Sequence, residues 1–210
     1  VGTCASTCAD VQCGDIVAVS GSVRMDGTSL HYLPMAFPAV PSYQLLKALE
    51  ESSVSLGFHT TVGVSITKDS FYTQAEPETK PVSDDLIRRW QSYVRGGAVC
   101  TSMEESILFS VGSSLGIRTA SILVSATNFD GSVSKRNSAD VYPTDSIQKP
   151  ILSAIEARPV PQARGGPFIS HLSAVLPAVF LQLFRVPVIQ GVKAAPALHV
   201  VGQLMGQGGV

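Results

Sequence analysis

The chain has 210 residues and a formal net charge of −1 at pH 7. This length suits one α/β domain, or one domain with an appendage, and is long enough to bury a substantial core. The near-zero net charge gives no reason to expect nucleic acid or an anionic membrane as a partner.

The first half of the chain predicts two strands around one helix. Residues 14–19 are apolar and β-branched after a turn, which favours a short buried strand, and residues 23–29 are rich in turn-forming residues. Ser42 is a suitable N-cap for a helix that ends near Gly57. Residues 60–67 alternate and are β-branched, which predicts the next strand.

The second half continues this alternation after a polar, proline-containing loop. Helices are predicted over residues 84–95, 103–115 and 144–157, and strands over residues 98–100 and 118–126. Strands that alternate with helices indicate an α/β fold with a mixed or mainly parallel central sheet and helices on its faces.

The character of the sequence changes after Arg158. Residues 159–167 are rich in proline and glycine and read as a linker, and an apolar segment follows to the end of the chain. Residues 168–184 are barely long enough to cross a bilayer and contain polar residues and a proline, so a membrane role is not expected. We therefore predict a domain over residues 1–158 and a separate linker and tail over residues 159–210.

Four cysteines give no metal or disulfide signature. Cys4, Cys8, Cys13 and Cys100 form no CxxC pair and have no histidine partner at zinc spacing. Free thiols in a reducing cytosol are the favoured interpretation, and a metal or disulfide role for the first three stays open as the alternative. No basic n-region of a secretory signal follows Val1, which also favours a cytoplasmic location.

Three segments together resemble the uridine phosphorylases of the nucleoside phosphorylase family. They are VGTCAS at 1–6, DSFY at 69–72 and TSMEES at 101–106. Their order and spacing fit the family, and the resemblance extends over residues 1–158. It implies an incomplete nucleoside-phosphorylase fold, with a mixed central sheet flanked by helices. The family's phosphate-binding arginine would fall just before Val1, so we expect the sequence to be the C-terminal part of such an enzyme.

The resemblance implies that Met103 and Glu104 bind ribose. A carboxylate can accept hydrogen bonds from two vicinal hydroxyls, and such charge-assisted bonds are strong. The alternative is that Glu104 and Glu105 merely complement the N-terminus of a helix. The family often has Glu-Met-Glu-Ser here, whereas this chain has Ser102 at the first of these positions.

The same resemblance implies that Phe71 and Gln74 bind the nucleobase. An aromatic ring offers a flat face on which a base can stack, although simple core packing of Phe71 is the alternative. Gln74 matches the family's uracil-binding glutamine after a gap of one residue. The family's base-binding arginine has no clear counterpart, because Glu76 stands near its place and Lys80 is the nearest cation.

Thr3 is the phosphate-binding residue that the resemblance implies. A Gly-Thr turn after a strand can present N–H groups and a hydroxyl to an anion, and an ordinary strand-ending turn is the alternative. The family's other phosphate arginines, and the segment that reaches into a neighbouring subunit's site, have no counterpart in the sequence.

The reaction implied is the reversible phosphorolysis of uridine to uracil and ribose 1-phosphate in pyrimidine salvage, and we expect the missing phosphate-binding segment to impair it. The partners implied are a nucleoside, phosphate and a second copy of the chain in a dimer-based homo-oligomer. The resemblance implies no metal or organic cofactor, since phosphate is a co-substrate, and no side chain is assigned as a catalytic group. One alternative is a non-catalytic chain, with an exposed sheet edge, that associates with intact subunits. Another is a purine nucleoside phosphorylase, against which the absence of a Ser-Asp pair after residue 126 argues.

Overall fold

A computed structural model describes residues 1–129 and 144–157. The chain divides into two units, Val1–Gly165 and Gly166–Val210, and all of the described residues belong to the first unit. The predicted linker and apolar tail over residues 159–210 lie outside the described residues, so the predicted domain boundary stays a prediction.

Five strands in the described ranges form a mixed sheet that closes into a barrel. Their bounds in chain order are β1 Gly2–Ser6, β2 Ile16–Met25, β3 Thr60–Lys68, β4 Ala98–Ser102 and β5 Ile122–Ser125. Around the barrel the order is β1, β4, β3, β2, β5, and β5 pairs with β1 to close the ring. The β1–β4 and β2–β5 pairs are antiparallel and the others parallel, which confirms the predicted mixed sheet.

The carboxyl ends of β2, β3 and β4 meet at one end of the barrel, because these three strands run parallel. The register fixes which residues meet there. Met25 pairs with Lys68, and Thr67 pairs with Ser102. The connections that leave these strands therefore start side by side, at the end of the sheet where α/β proteins usually bind ligands.

Five α-helices within the described ranges connect or cover the strands. They are α1 Tyr43–Ser55, α2 Tyr72–Ala75, α3 Ser83–Arg95, α4 Glu105–Ser114 and α5 Gln148–Glu156. The longer helices confirm the sequence prediction to within a few residues. Ser42 stands at the N-cap of α1, and α1 and α3 are each followed by a glycine with positive φ, Gly57 (78°) and Gly97 (91°), a conformation that ends a helix at low cost.

Apolar clusters join the barrel to its helices on several sides. Ile16, Ile122 and Val124 pack with Leu49 of α1 and Ala154 of α5. A second cluster joins β3 and β4 to Trp90 of α3, and a third joins β1, β2, β4 and β5 to Phe109 of α4. The core therefore holds the strands and α4 in one packed body.

Two predicted strand bounds are wrong for reasons of long-range pairing. β2 continues through Val23, Arg24 and Met25, which the sequence predicts to be turn-rich, because β3 pairs with it along its whole length. The last predicted strand begins only at Ile122. Before that strand begins, the carbonyl of Thr119 accepts a hydrogen bond from Ser42 N at 2.7 Å, outside the sheet.

The N-terminal segment also differs from its prediction. Gly2 and Thr3 belong to strand β1 rather than to a turn, since both pair with β5. The exposed sheet edge expected for the non-catalytic alternative is wrong as well, because each of the five described strands has a neighbour on both sides.

Arg24 fastens the connection after β2 to the barrel. Its side chain is buried, and its guanidinium donates to the carbonyl oxygens of Pro34 and Phe37 at 2.6 Å each and of Leu33 at 2.8 Å. It also donates to the hydroxyl and the carbonyl of Ser29 at 3.1 Å. A charged donor buried among carbonyl oxygens forms strong hydrogen bonds. The Arg24 side chain therefore fixes the conformation of the connection that follows β2.

We expect Arg24→Met to lower the free energy of unfolding by about 3 kcal/mol or more, because several buried carbonyl groups lose a charged donor at once. Urea unfolding followed by the fluorescence of Trp90, the one tryptophan in the chain, measures this change. Arg89→Met is the control, since the Arg89 side chain is 58% exposed and pairs with Asp85 at the surface. Equal losses in the two variants would contradict a special role for Arg24.

Candidate active site

Met103 and Glu104 lie between β4 and α4, at the end of the barrel where β2, β3 and β4 terminate. Glu104 occupies the N-cap position of α4, and its carbonyl accepts a hydrogen bond from Leu108 N at 2.9 Å. Its side chain is exposed, and Oε2 accepts from Met103 N at 3.0 Å. The carboxylate that the sequence predicts to bind ribose therefore faces solvent with acceptor capacity to spare.

Two strands hold the first turn of α4 in place through Ser106. The N–H of Ser106 donates to Thr67 Oγ1 at 3.0 Å, and its hydroxyl donates to Asp26 Oδ2. Asp26 also accepts from the N–H and hydroxyl of Ser29, at 2.6 and 3.0 Å. Burial alone would raise the pKa of Asp26, but the hydrogen bonds from Ser106 and Ser29 outweigh it and keep the pKa below its ordinary value. An ionised Asp26 thus ties α4 to β2.

Lys68, the last residue of β3, is a buried cation at the same end of the barrel. Its side chain is 7% exposed, and Nζ donates to Thr101 Oγ1 at 2.8 Å and to the carbonyl of Ser102 at 3.2 Å. Burial lowers its pKa to about 8, while Glu104 and then Glu105 oppose that shift. Lys68 therefore lies within electrostatic range of the predicted ribose-binding carboxylate.

The predicted base-binding residues, Phe71 and Gln74, come shortly after Lys68 in the chain. Phe71 is 39% exposed and contacts the ring of Tyr72 edge-on, with the ring centroids 5.5 Å apart, so the alternative of simple core packing is wrong. Gln74, in the short helix α2, lines a pocket together with Lys68 and Trp90. The structure thus places a hydrogen-bonding amide and a cation on one pocket wall.

The two residues nearest to the missing arginine in sequence are engaged with each other. Lys80 Nζ lies 3.7 Å from Glu76 Oε2, and the Glu76 side chain is 55% exposed. Neither lines the pocket that contains Gln74. Sequence reasoning named Lys80 and missed Lys68, although a lysine immediately before the DSFY segment was the available signal.

Thr3 lies on the strand that approaches Met103 and Glu104. β1 pairs with β4 at Ala5 and Thr101, so Thr3 lies just before the paired position on β1 and Met103 follows just after it beyond the end of β4. Thr3 is exposed, so its hydroxyl is accessible. Its backbone belongs to the β1–β5 ladder, which replaces the anion-binding turn predicted from the sequence.

Glu105 is a second carboxyl group at the start of α4, and it points into the protein. Its side chain is 2% exposed, Oε1 accepts from Ser121 Oγ at 3.2 Å, and Oε2 has no hydrogen-bond partner within the described part of the chain. Burial raises its pKa to about 7. Glu105 is therefore buried at the start of α4, whereas its neighbour Glu104 is exposed.

Neither a metal site nor a membrane span is found in the described ranges. Over residues 1–129 and 144–157, no group of three or more His, Cys, Asp or Glu side chains could hold a metal ion. The same ranges contain no helix that is both long and apolar enough to cross a membrane.

Comparisons with known proteins agree with the resemblance seen in the sequence. The model of the Phosphorylase superfamily matches residues 1–148. A uridine phosphorylase from Treponema pallidum is 30% identical over 156 residues, which cover 74% of this chain and 60% of that protein. One from Salmonella typhimurium is 34% identical over 137 residues (60% of this chain, 53% of that protein). A guanosine phosphorylase from Halorubrum lacusprofundi is 28% identical over 121 residues (58% and 46%). The chain thus spans about half to three fifths of the length of these relatives.

The free energy of unfolding of the wild type is expected to fall as pH rises, and we expect Glu105→Gln to remove this fall. Below pH 4.5 the carboxyl is protonated in both states, whereas between pH 4.5 and about 7 the unfolded chain has released a proton that the folded chain still holds. The wild-type free energy of unfolding therefore falls across this range as pH rises, by about 3 kcal/mol relative to the glutamine variant.

Urea unfolding of wild type and Glu105→Gln at pH 4.5 and pH 8 measures this difference. Glu78→Gln is the matched control, because the side chain of Glu78 is exposed in a surface turn. Its free energy of unfolding is expected to change with pH in the same way as that of the wild type. A constant difference between Glu105→Gln and wild type at both pH values would contradict the prediction.

Proposed function

Because the chain belongs to the phosphorylase superfamily, we propose that it is a uridine phosphorylase of pyrimidine salvage, which converts uridine and phosphate to uracil and ribose 1-phosphate. The observation that carries this proposal is that Lys68, which lines the pocket with Gln74, also donates a hydrogen bond to the carbonyl of Ser102 at the β4–α4 junction. The junction and the pocket therefore lie next to each other at one end of the barrel. A sugar-binding carboxylate and a base-binding amide are needed side by side for a nucleoside, and these elements supply both.

Glu104 and Met103 hold the ribose in this proposal. The exposed Glu104 carboxylate has two oxygens, and it can accept hydrogen bonds from the 2′ and 3′ hydroxyls together. Its backbone is fixed because the following turn is bonded to β2 and β3 through Ser106. A carboxylate held on a rigid helix end positions the sugar without further rearrangement.

The base and the phosphate approach from opposite sides of that sugar. Phe71 offers a partly exposed ring for stacking, and Gln74 offers an amide that can pair with the uracil edge. Thr3 offers a hydroxyl to phosphate from β1. Phosphate then attacks C1′ while the C1′–N1 bond breaks, and catalysis consists of positioning and electrostatic stabilisation, with no metal or organic cofactor.

A non-catalytic nucleoside-binding chain is the second candidate. Two observations favour it: Ser102 stands where the family often has a glutamate, and the Glu76–Lys80 ion pair lies where its base-binding arginine is expected. In either case we propose a cytoplasmic protein that forms a dimer-based homo-oligomer, as the family resemblance implies.

Phosphate-dependent cleavage of uridine by the purified 210-residue chain tests the proposal. Folded protein without activity would favour the non-catalytic candidate, and cleavage of guanosine in preference to uridine would favour a purine phosphorylase.

We expect Glu104→Ala to lower kcat/KM for uridine by about 100-fold or more, since two charge-assisted hydrogen bonds to the ribose are lost. The loss on 2′-deoxyuridine is expected to be at least about tenfold smaller, because one of the two bonds is already absent from that substrate. Kinetics with both substrates for wild type, Glu104→Ala and the surface control Glu78→Ala measure the effect. Equal losses on uridine and 2′-deoxyuridine would show that Glu104 does not bind the 2′ hydroxyl.

A further inference from the structure

Lys68 lines the pocket that contains Gln74, the residue proposed to bind the nucleobase. It is the one cation among the residues that line the pocket of Gln74, and the pocket walls are otherwise polar or apolar, without charge. The pocket and the ribose-binding junction share this side chain, since Nζ donates to the carbonyl of Ser102, the residue directly before Met103. Lys68 therefore lies between the sites proposed for sugar and base.

The hydrogen bonds of Lys68 fix the position of its ammonium group. Two of its three N–H donors have partners within the described residues, Thr101 Oγ1 at 2.8 Å and Ser102 O at 3.2 Å. Thr101 Oγ1 in turn donates to the carbonyl of Ile66 at 2.9 Å, so the hydroxyl is oriented to accept from Lys68. The Lys68 side chain is only 7% exposed, and two hydrogen bonds hold its ammonium group. It is therefore preorganised to act on negative charge that develops beside it.

The groups that face Lys68 favour its charged form. They come from three elements: Glu104 and Glu105 at the start of α4, Cys100 on β4 and Cys4 on β1, and each opposes the effect of burial on the Lys68 pKa. The result is a pKa of about 8, so the ammonium form predominates at pH 7. A buried ammonium acts through a low-dielectric medium, where its field on a nearby anion is screened less than at the surface.

Resting on the proposed function, we propose that Lys68 is a catalytic residue that stabilises the departing base, in the role for which the chain has no matching arginine. As the C1′–N1 bond breaks, its electron pair passes to uracil, and the negative charge spreads onto the ring carbonyl oxygens. The Lys68 ammonium donates a hydrogen bond to one of these oxygens. Phosphate oxygen forms the new bond to C1′, and the uracil anion afterwards takes a proton from solvent.

Substrates with different leaving bases test this role, because they differ in how much negative charge the departing base must carry. Lys68→Met keeps a side chain of similar length without charge, and we expect it to lower kcat/KM for uridine by about 100-fold, as the loss of one preorganised donor typically does. On 5-fluorouridine, whose base leaves as a more stable anion, the loss is expected to be at least about fivefold smaller, because less charge needs stabilisation. A purely structural role would lower both rates equally.

Lys80→Met is the matched control, because Lys80 is the other candidate cation and pairs with Glu76 outside the pocket. We expect it to leave both rates within about twofold of wild type, as an exposed ion pair contributes little. A loss confined to Lys80→Met, or equal losses on the two substrates in Lys68→Met, would overturn the assignment of Lys68.

Binding of 5-nitrouracil, a base that is already an anion at pH 7, separates this inference from the proposed function. By isothermal titration calorimetry we expect folded wild type and Lys80→Met to bind it, and Lys68→Met to bind it at least tenfold more weakly. Binding that depends on Lys68 in a chain that does not cleave uridine would overturn the proposed reaction and keep Lys68 as the anion-binding group. Unchanged binding in Lys68→Met, or no binding to folded wild type, would overturn the role of Lys68.

Discussion

The double attachment of Ser106 is the constraint on which the candidate site depends. Its N–H is bonded to Thr67 at the end of β3, and its hydroxyl to Asp26 just after β2. Because Ser106 lies in the first turn of α4, these two bonds set the direction in which the preceding residues leave β4. Met103 and Glu104 are thereby held at the point where three parallel strands end. Without this attachment, the carboxylate proposed to bind ribose would lie on a loop rather than on a fixed helix end.

The buried charges at this end of the barrel fall into two kinds. Arg24 and Asp26 are saturated with hydrogen bonds from nearby backbone and hydroxyl groups, so they contribute order to the connection after β2. Lys68 and Glu105 are buried with fewer partners, and each has a pKa displaced toward neutrality. Incomplete pairing of buried charge costs stability, and natural proteins retain it mainly where function requires it. The contrast therefore singles out Lys68 and Glu105 as candidates for a functional role, beside the structural charges of Arg24 and Asp26.

Sequence reasoning succeeded where local signals agree with the fold. The turn at Gly96 and Gly97, the N-cap at Ser42 and the alternation from Thr60 onward each predict an element that the structure contains. It failed where long-range pairing decides, as in the extension of β2 to Met25 against β3. The same distinction between local signals and long-range packing applies to the candidate site. Family resemblance named Glu104, Phe71 and Gln74 as candidates, but neither composition nor spacing could show that Lys68 is buried at the same end of the barrel.

The two adjacent glutamates illustrate why burial could not be inferred from sequence. Glu104 and Glu105 are chemically identical and neighbours in the chain, yet a rotation of one residue at the helix start turns the first toward solvent and the second toward Ser121. Where the family often has Glu-Met-Glu-Ser, this chain has Ser-Met-Glu-Glu, so the number of carboxyl groups is kept while one moves to the inner face of α4. At that inner position the carboxyl group is buried, and its Oε1 accepts a hydrogen bond from Ser121 Oγ. Glu105 is one of the groups that keep Lys68 protonated despite burial. Under the proposal for Lys68, the altered motif and the lysine before the DSFY segment are two parts of one electrostatic arrangement, in which the inner glutamate supports the cation proposed to act on the base.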